Sequence, residues 1–291
     1  MTSVAMFGSS LRQSLRIMAR NKVGFAGLLI TLAIVLTAYV APVFVPLDKA
    51  AHIEHIYEGP SAAHPLGTDF QGRDNLSQML NGGRDVITVA ALTALLTILI
   101  AVTLGSLAAV VGGGADSLIN AAGELVITIP HFPLLLVLAG FIRLTSAASL
   151  AVILAVIGWG PLMRAIRAQV LSLKERDYVQ AARALGLPLS HLLFKEIMPN
   201  MMSYILIQFV LSMTGAIYAQ VGLIFLGIIP LASHNWGVMF TMAYNQGAIY
   251  GKESLWYLMM PIAVIVLLQF SLVSMTRSLD ELFNPRLRVG D

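Results

Sequence analysis

VITVAALTALLTILIAVTLGSLAAVVGGGA, residues 86–115, runs for thirty residues without a charged side chain. As a helix rising 1.5 Å per residue it would measure about 45 Å, more than the ~30 Å of a bilayer's hydrocarbon core. It lacks the polar-in, apolar-out alternation of a membrane barrel strand, and inside lipid a helix satisfies its own backbone hydrogen bonds. The stretch therefore predicts a transmembrane helix. Comparable uncharged runs occupy residues 23–47, 144–163 and 254–276, and another at 117–142 is interrupted only by Glu124. The longest, 197–251, has fifty-five residues. Its first part, 200–227, is almost continuously apolar. Its second part, 231–250, carries Ser233, His234, Asn235, Asn245 and Gln246 and is too polar for a lipid-facing span. That part is expected as an external loop with a short amphipathic or re-entrant helix. The chain thus reads as an all-α membrane protein of six transmembrane helices.

Composition agrees. Of 291 residues 57% are hydrophobic and 11% charged, where a soluble domain carries about 25% charge. The absence of cysteine excludes disulfides, thiolate metal sites and cysteine nucleophiles. The net charge of +3 reflects scarcity of both signs, and no Lys/Arg cluster marks a nucleic-acid partner.

Six spans put both termini on one side. That side holds Arg12, Arg16, Arg20, Lys22, Arg164, Arg167, Lys174, Arg176, Arg183, Lys195, Arg277, Arg286 and Arg288, which is 13 of the 18 basic residues. The positive-inside rule makes it the cytoplasm. The first run is too long for the 7–15-residue apolar core of a signal peptide and is expected to stay as a span. The expected organisation is a cytoplasmic segment 1–22, a first helix 23–47, an extracytoplasmic segment 48–85, a five-helix core 86–280 and a cytoplasmic tail 281–291. Within the core lie a cytoplasmic loop 164–199 and an external loop 229–254.

Two polar segments are long enough to carry a task. The external one contains His64, Pro65, Leu66, Gly67, Thr68 and Asp69, then Gly72, Arg73 and Asp74. It reads either as an outer cap or gate that meets a delivery partner, or as a solvated connection in which His64, Asp69 and Asp74 serve turns and caps. A metal site from those three is the weaker alternative, and no metal is assigned. In the internal segment, DYVQAARAL at 177–185 is a strong helix former. Gly186 suits its C-terminal cap and Pro188 prevents continuation. Ser190 can cap a second short helix through about Ile197, ended by Pro199 and Asn200. Two short helices at a sharp angle between spans suggest a docking device. In it Ala181, Ala182 and Ala184 permit close approach, and Glu175, Arg183 and Lys195 place charge at the rim.

At these residues the chain resembles a known family. Gln180-Ala181-Ala182, three residues, Gly186, and twelve residues to Pro199 resemble the "EAA" loop of ABC-importer permeases, Glu-Ala-Ala-x₃-Gly followed by Ile-x-Leu-Pro. The chain departs at Gln180 for Glu, Glu196 for Ile and Met198 for Leu. HPLGTDFQGRD looks like the "HPLGTDxxGRD" signature of the dipeptide/oligopeptide/nickel subfamily, in its second, shorter permease. Leu226-Gly227, Trp236-Gly237 and Asp280…Asn284-Pro285-Arg286-Leu287 also fit.

The resemblance implies a type I ABC importer-like permease with cytoplasmic coupling helices, in the cytoplasmic (inner) membrane of a prokaryote. Its partners would be a second homologous permease, two cytoplasmic ATPases and an extracytoplasmic solute-binding protein. Asp177, Gln180, Ala181, Ala182, Arg183, Gly186 and Pro199 would carry ATPase coupling. The chain would bind no cofactor; ATP and Mg²⁺ would belong to the ATPases.

Glu124 is the one acid deep in a predicted span. It reads either as a pathway residue or as a group near the cytoplasmic end pairing with a neighbouring helix or the other permease. Pro130 and Pro133 predict a kink beyond it. Arg143 reads as an interfacial anchor, Trp159, Trp236 and Trp256 as interfacial belts. Gly105, Gly112, Gly113, Gly114, Gly215 and Gly222 read as close-packing positions. Residues 247–252 imitate a phosphate loop with a spacer missing and Glu253 where Ser/Thr belongs. The expected function is a permease subunit of an ATP-driven importer for di- or oligopeptides, with nickel, an oligosaccharide or another solute as alternative cargo. The rival is an ion-coupled secondary transporter, which would gather several ionisable groups at the midplane. A membrane enzyme would need a nucleophile–base or metal constellation that the sequence lacks.

Overall fold

The structure, a computed structural model, describes residues 17–142, 146–229 and 234–283. Arg12, Arg16, Arg143, Ser233 and residues 284–291, with Arg286 and Arg288, lie outside the described residues. The described chain is helical throughout apart from loops and a single Thr68–Asp74 bridge. Its helices are α1 (Lys22–Phe44), α2 (Asn75–Val111), α3 (Gly113–Thr128), α4 (His131–Phe141), α5 (Ala147–Lys174), α6 (Asp177–Ala184), α7 (Leu189–Phe225), α8 (Trp236–Asn245) and α9 (Leu255–Phe283). Five of them, α1, α2, α5, α7 and α9, are long and apolar enough to cross a membrane. The pair α3–α4 makes a sixth if taken as one span bent by 83°.

Helix ends follow caps rather than hydropathy. Helix α2 starts at Asn75, eleven residues before the uncharged run, because Asp74 Oδ2 accepts from Ser77 N at 2.8 Å. The expected boundary at residue 85 therefore falls inside this helix. At its other end Gly112 (φ +70) and Gly113 (φ +57) reverse the chain into α3, and a Cβ on either would meet nothing within 4 Å. These two are turn glycines, not the packing glycines expected, and Gly114 and Gly215 likewise face open space. Gly105 does pack: its Cβ would sit 2.6 Å from Met163 O of α5. Gly222 lies against Phe132 at 3.4 Å. The predicted kink is a full break. Ile129 is extended ahead of Pro130, as a residue preceding proline prefers, and α4 restarts at His131.

Helix α2 is central, packed against α5, α7 and α1. Helix α1 is peripheral and lies along α9, where a Cβ on Gly27 would sit 2.7 Å from Ser271 O. Asn21 Nδ2 donates to Glu281 Oε1 at 2.9 Å and closes that seam. The rest of α1 presents Leu29, Leu32, Leu36 and Val40 outward, as a lipid-facing helix should. Two of the three tryptophans contradict the interfacial expectation. Trp159 and Trp236 are 9% and 3% exposed, and Trp236 Nε1 donates to Met79 O at 2.8 Å beneath Gly82 and Gly83. Only Trp256 is exposed. Helix α8, found in the expected external loop, is mostly buried against α7 and α9 rather than lying amphipathic on a surface.

The interior divides into two apolar clusters. One, around Val86, Ile217, Leu223, Met239 and Tyr257, lies toward the end that carries residues 45–74, called here the cap end. The other, around Ile98, Met163, Ile166, Val179 and Ile197, lies toward the end that carries α6, called the hairpin end.

Candidate functional site

At the hairpin end, the expected loop 164–199 is mostly helix. Helix α5 continues to Lys174, whose Nζ donates to Ala109 O at 3.1 Å and so caps α2. After Glu175 and Arg176, α6 begins. It ends in a Schellman motif: Gly186 N donates to Arg183 O at 2.9 Å, Leu187 N to Ala182 O at 3.3 Å, and Gly186 takes φ +74. A side chain on Gly186 would meet nothing within 4 Å of its Cβ, so conformation and not crowding demands glycine.

The second short helix does not stop at Pro199. It continues as α7 through a π-turn at Leu192–Ile197, where Met198 N donates to Leu193 O, five residues back. The widened turn relieves the clash a proline ring makes with the carbonyl four residues earlier, which is why the proline fails to terminate the helix.

This hairpin has an inner and an outer face. Val179 (1% exposed) and Ala182 (6%) sit in the same core as Met163, Ile166 and Ile197. Ala182 is therefore an anchor and not, as expected, part of an approach surface. Asp177, Tyr178, Gln180, Ala181, Arg183, Ala184, Leu185 and Gly186 face outward, with Leu185 79% exposed. Gln180 Nε2 donates to Lys174 O at 3.1 Å, a bond that an ionised glutamate, an acceptor only, could not make. Pro199 is exposed on the first turn after the π segment.

Above the hairpin, Asp116 of α3 and Arg167 of α5 form a bidentate pair at 2.6 Å for both bonds. Glu124 lies two turns further along α3. Its neighbour Gly123 has its carbonyl 3.0 Å from where a Cβ on Gly160 would sit, one turn before Arg164. Glu124 is exposed and its carboxylate has no hydrogen-bond partner among the described residues.

Between α2, α4, α5 and α7 lies a cavity of about 250 Å³. Thr93, Thr97, His131, Ser212, Gly158 and Gly215 give it polar groups and room. Thr93 Oγ1 is buried there without a partner, a donor left for water or a solute. Sequence reasoning missed His131; its one signal is that it follows Pro130, at the break in a span.

At the cap end the signature residues turn inward. Asp69 is fully buried. Its Oδ1 accepts from Gln71 N (2.8 Å) and Arg73 N (2.9 Å), its Oδ2 from Arg73 Nε (2.8 Å) and Gln78 Nε2 (2.9 Å), with an Arg73 terminal nitrogen at 2.7 Å. Gly67 and Gly72 have φ +67 and +75, and a Cβ on either would strike the backbone of Glu58 or His52. Thr68 is buried and bonds the backbone of both His55 and Glu58. Leu66 O accepts from Asn75 Nδ2 at 3.0 Å. His64 Nδ1 lies 3.2 Å from Asp74 Oδ1, and Asp74 N donates to Asp48 Oδ2. These residues do the turn and capping work of a knot that seats α2. With Asp69 committed to Arg73, the set His64, Asp69 and Asp74 does not converge on a metal. Among signature residues Pro65 is exposed, as is Gln71 between them. Beside the knot, the hydrogen bond to Glu58 raises the pKa of His55 above its ordinary value.

Comparison with known proteins fits this geometry. Residues 101–289 match the family described as binding-protein-dependent transport system inner membrane component. Residues 9–60 match the N-terminal TM domain of oligopeptide transport permease C. The chain is 30% identical over 270 residues to the oligopeptide transport system permease protein OppC of Bacillus subtilis, covering 92% of this chain and 87% of that one. It is 31% identical over 278 residues to the dipeptide transport system permease protein DppC of the same organism, covering 94% and 85%. Against OppC of Mycobacterium tuberculosis it is 29% identical over 225 residues, covering 76% and 77%. Matched along nearly its whole length, with the helical bundle and hairpin that its motifs imply, the chain belongs to the ABC peptide permease family of the OppC and DppC type.

Proposed function

We propose that this permease forms one half of the translocation path of an ATP-driven importer of di- or oligopeptides, and that α6 with its Gly186 corner docks on a cytoplasmic ATPase. The observation that carries the reading is the two-faced hairpin. Val179 and Ala182 root it in the core of the bundle while eight neighbouring residues stand exposed. A push on α6 would thus pass to α5 and α7, which line the cavity, the connected packing that coupling requires. The exposed apolar face of α3 and α4, with Leu118, Leu125 and Phe141 outward, suits a second homologous permease. On this reading the termini and hairpin are cytoplasmic, the membrane is the inner one, the cap faces a solute-binding protein, and ATP with Mg²⁺ is handled by the two ATPases.

The test is affinity purification from native membranes in mild detergent, joined to uptake of labelled di- and tripeptides in cells with and without the chain. Recovery of a second permease and ATPases, with peptide uptake that depends on the chain, is the expected result. Recovery of the chain alone, beside an intact control importer, would overturn the complex. An intact complex whose binding protein holds nickel or an oligosaccharide would overturn the cargo.

A further inference from the structure

Three side chains, His64 at the rim of the signature's knot and two that precede it, converge on the cap. His55 ends the short helix Ile53–His55, Glu58 follows three residues later, and His64 opens the next turn. One ligand atom from each lies within 4.8 Å of the other two. His55 Nδ1 is 2.7 Å from Glu58 Oε1, and the two imidazoles stand 5.6 Å apart between centroids.

The backbone holds all three in place. Tyr57, the one non-glycine with positive φ (+54) among the described residues, folds His55 and Glu58 side by side. Thr68 bonds the carbonyl of His55 and, at 2.8 Å, the amide of Glu58. The His64 amide donates to Ser61 Oγ at 3.0 Å, and its carbonyl accepts from Ser61 N at 2.8 Å and Gly67 N at 2.9 Å. All three side chains reach solvent, so an entry path exists.

We propose that His55, Glu58 and His64 form a binding site for a first-row divalent transition cation, with Zn²⁺ as its best occupant. Two imidazoles and one carboxylate are the donor set of three-ligand zinc sites, which leave a fourth position to water. They disfavour Ca²⁺ and Mg²⁺, which take oxygen. Bonds of about 2.0–2.1 Å in a tetrahedron place ligand atoms roughly 3.3 Å apart. On binding, the 2.7 Å contact between His55 and Glu58 would open and the wider ones, none above 4.8 Å, would close. Asp74 engages His64 Nδ1, which leaves Nε2 for the cation and supplies the carboxylate partner that orients a ligating histidine. Because Asp74 is also the N-cap of α2, an occupied site would tie the segment around residues 53–67 to the start of the central helix. The site stands away from the bundle cavity and does not depend on which solute is carried.

The experiment uses the full-length chain in detergent, purified with a tag free of histidine and stripped by chelator. Zn²⁺, Ni²⁺ and Ca²⁺ are titrated by calorimetry, and Co²⁺ by its visible absorption. The expected result is one saturable Zn²⁺ per chain, preferred over Ca²⁺, with affinity at least about tenfold lower in His55→Ala and in the near-isosteric Glu58→Gln. A control at the other end of the molecule, His191→Ala, should bind as the wild type does. The half-exposed His55 and Glu58 side chains leave no buried gap when changed, and the Co²⁺ spectrum of the unaltered chain reports nitrogen ligation without any variant. No saturable Zn²⁺ binding up to roughly 1 mM, which is ~4 kcal/mol of affinity, would overturn the proposal. So would equal binding by both variants.

Discussion

Replacing Arg73 with alanine would strand the one fully buried carboxylate of the cap. Asp69 is 0% and Arg73 8% exposed, and the carboxylate draws bonds from two backbone amides, Gln78 and the Arg73 guanidinium. The substitution removes the guanidinium's fork and with it the charge that compensates Asp69. Breaking a buried pair by deleting one partner costs about 3–5 kcal/mol, because the other charge stays uncompensated. The remaining donors soften that loss but carry no full positive charge. At ~1.4 kcal/mol per decade, opening of the cap should become about 10²- to 10³-fold more frequent.

Hydrogen exchange of the full chain, read over peptides covering residues 66–80, measures that opening directly. Arg84→Ala serves as the control: its guanidinium stacks over exposed Tyr39 at 5.8 Å, a contact worth about 0.5–1 kcal/mol and only a few-fold in exchange. Adding Asp69→Asn to Arg73→Ala should restore protection in part, since the stranded charge is gone. Exchange in Arg73→Ala no faster than in the Arg84→Ala control would refute the reasoning and demote the pair to ornament on a cap held by its turns.

Gly186→Val forces a β-branched residue to φ +74 at about 1–2 kcal/mol. It should abolish uptake while membrane insertion stays normal, and wild-type uptake would sink the docking assignment. Asp116→Ala frees Arg167 from a partly exposed bidentate pair and should lower the thermal midpoint slightly; an unchanged midpoint in detergent would show that the pair contributes nothing. Glu124→Gln keeps the shape of an exposed side chain whose carboxylate has no hydrogen-bond partner among the described residues. Uptake should be largely preserved, and its loss in a normally assembled complex would place the carboxylate on the pathway.

Five of the six expected spans were legible because lipid imposes a condition that local sequence can meet or fail: enough apolar length, with charge collected at the ends. The hairpin was legible for a similar reason. Gly186 and Pro188 are local stops, and the Schellman bonds from Gly186 and Leu187 are made within six residues. Pro199 misled because a π-turn six residues long absorbs its ring, and nothing in the residues themselves announces that wider turn. Helix α2 outran its apolar run because the cap at Asp74, and not hydropathy, sets its start.

Residues whose role depends on what they meet were not legible. Trp159 and Trp236 have the composition of belt residues, yet packing against distant helices buries them. Gly105 and Gly112 stand seven residues apart on the same run; one meets Met163 O, the other turns the chain. His131 became a cavity residue only because α4 breaks away by 83° and faces α2 and α7. His64 carried a motif in the sequence, but its neighbours are His55 and Glu58, brought beside it by a turn at Tyr57 and the buried Thr68. The sequence by itself determined the solvent, five of the spans and the corner of the hairpin at Gly186, because each rests on interactions a few residues long. The tertiary structure decided which faces are anchored, which glycines turn and which polar groups converge, because burial and coordination are set by residues far apart in the chain.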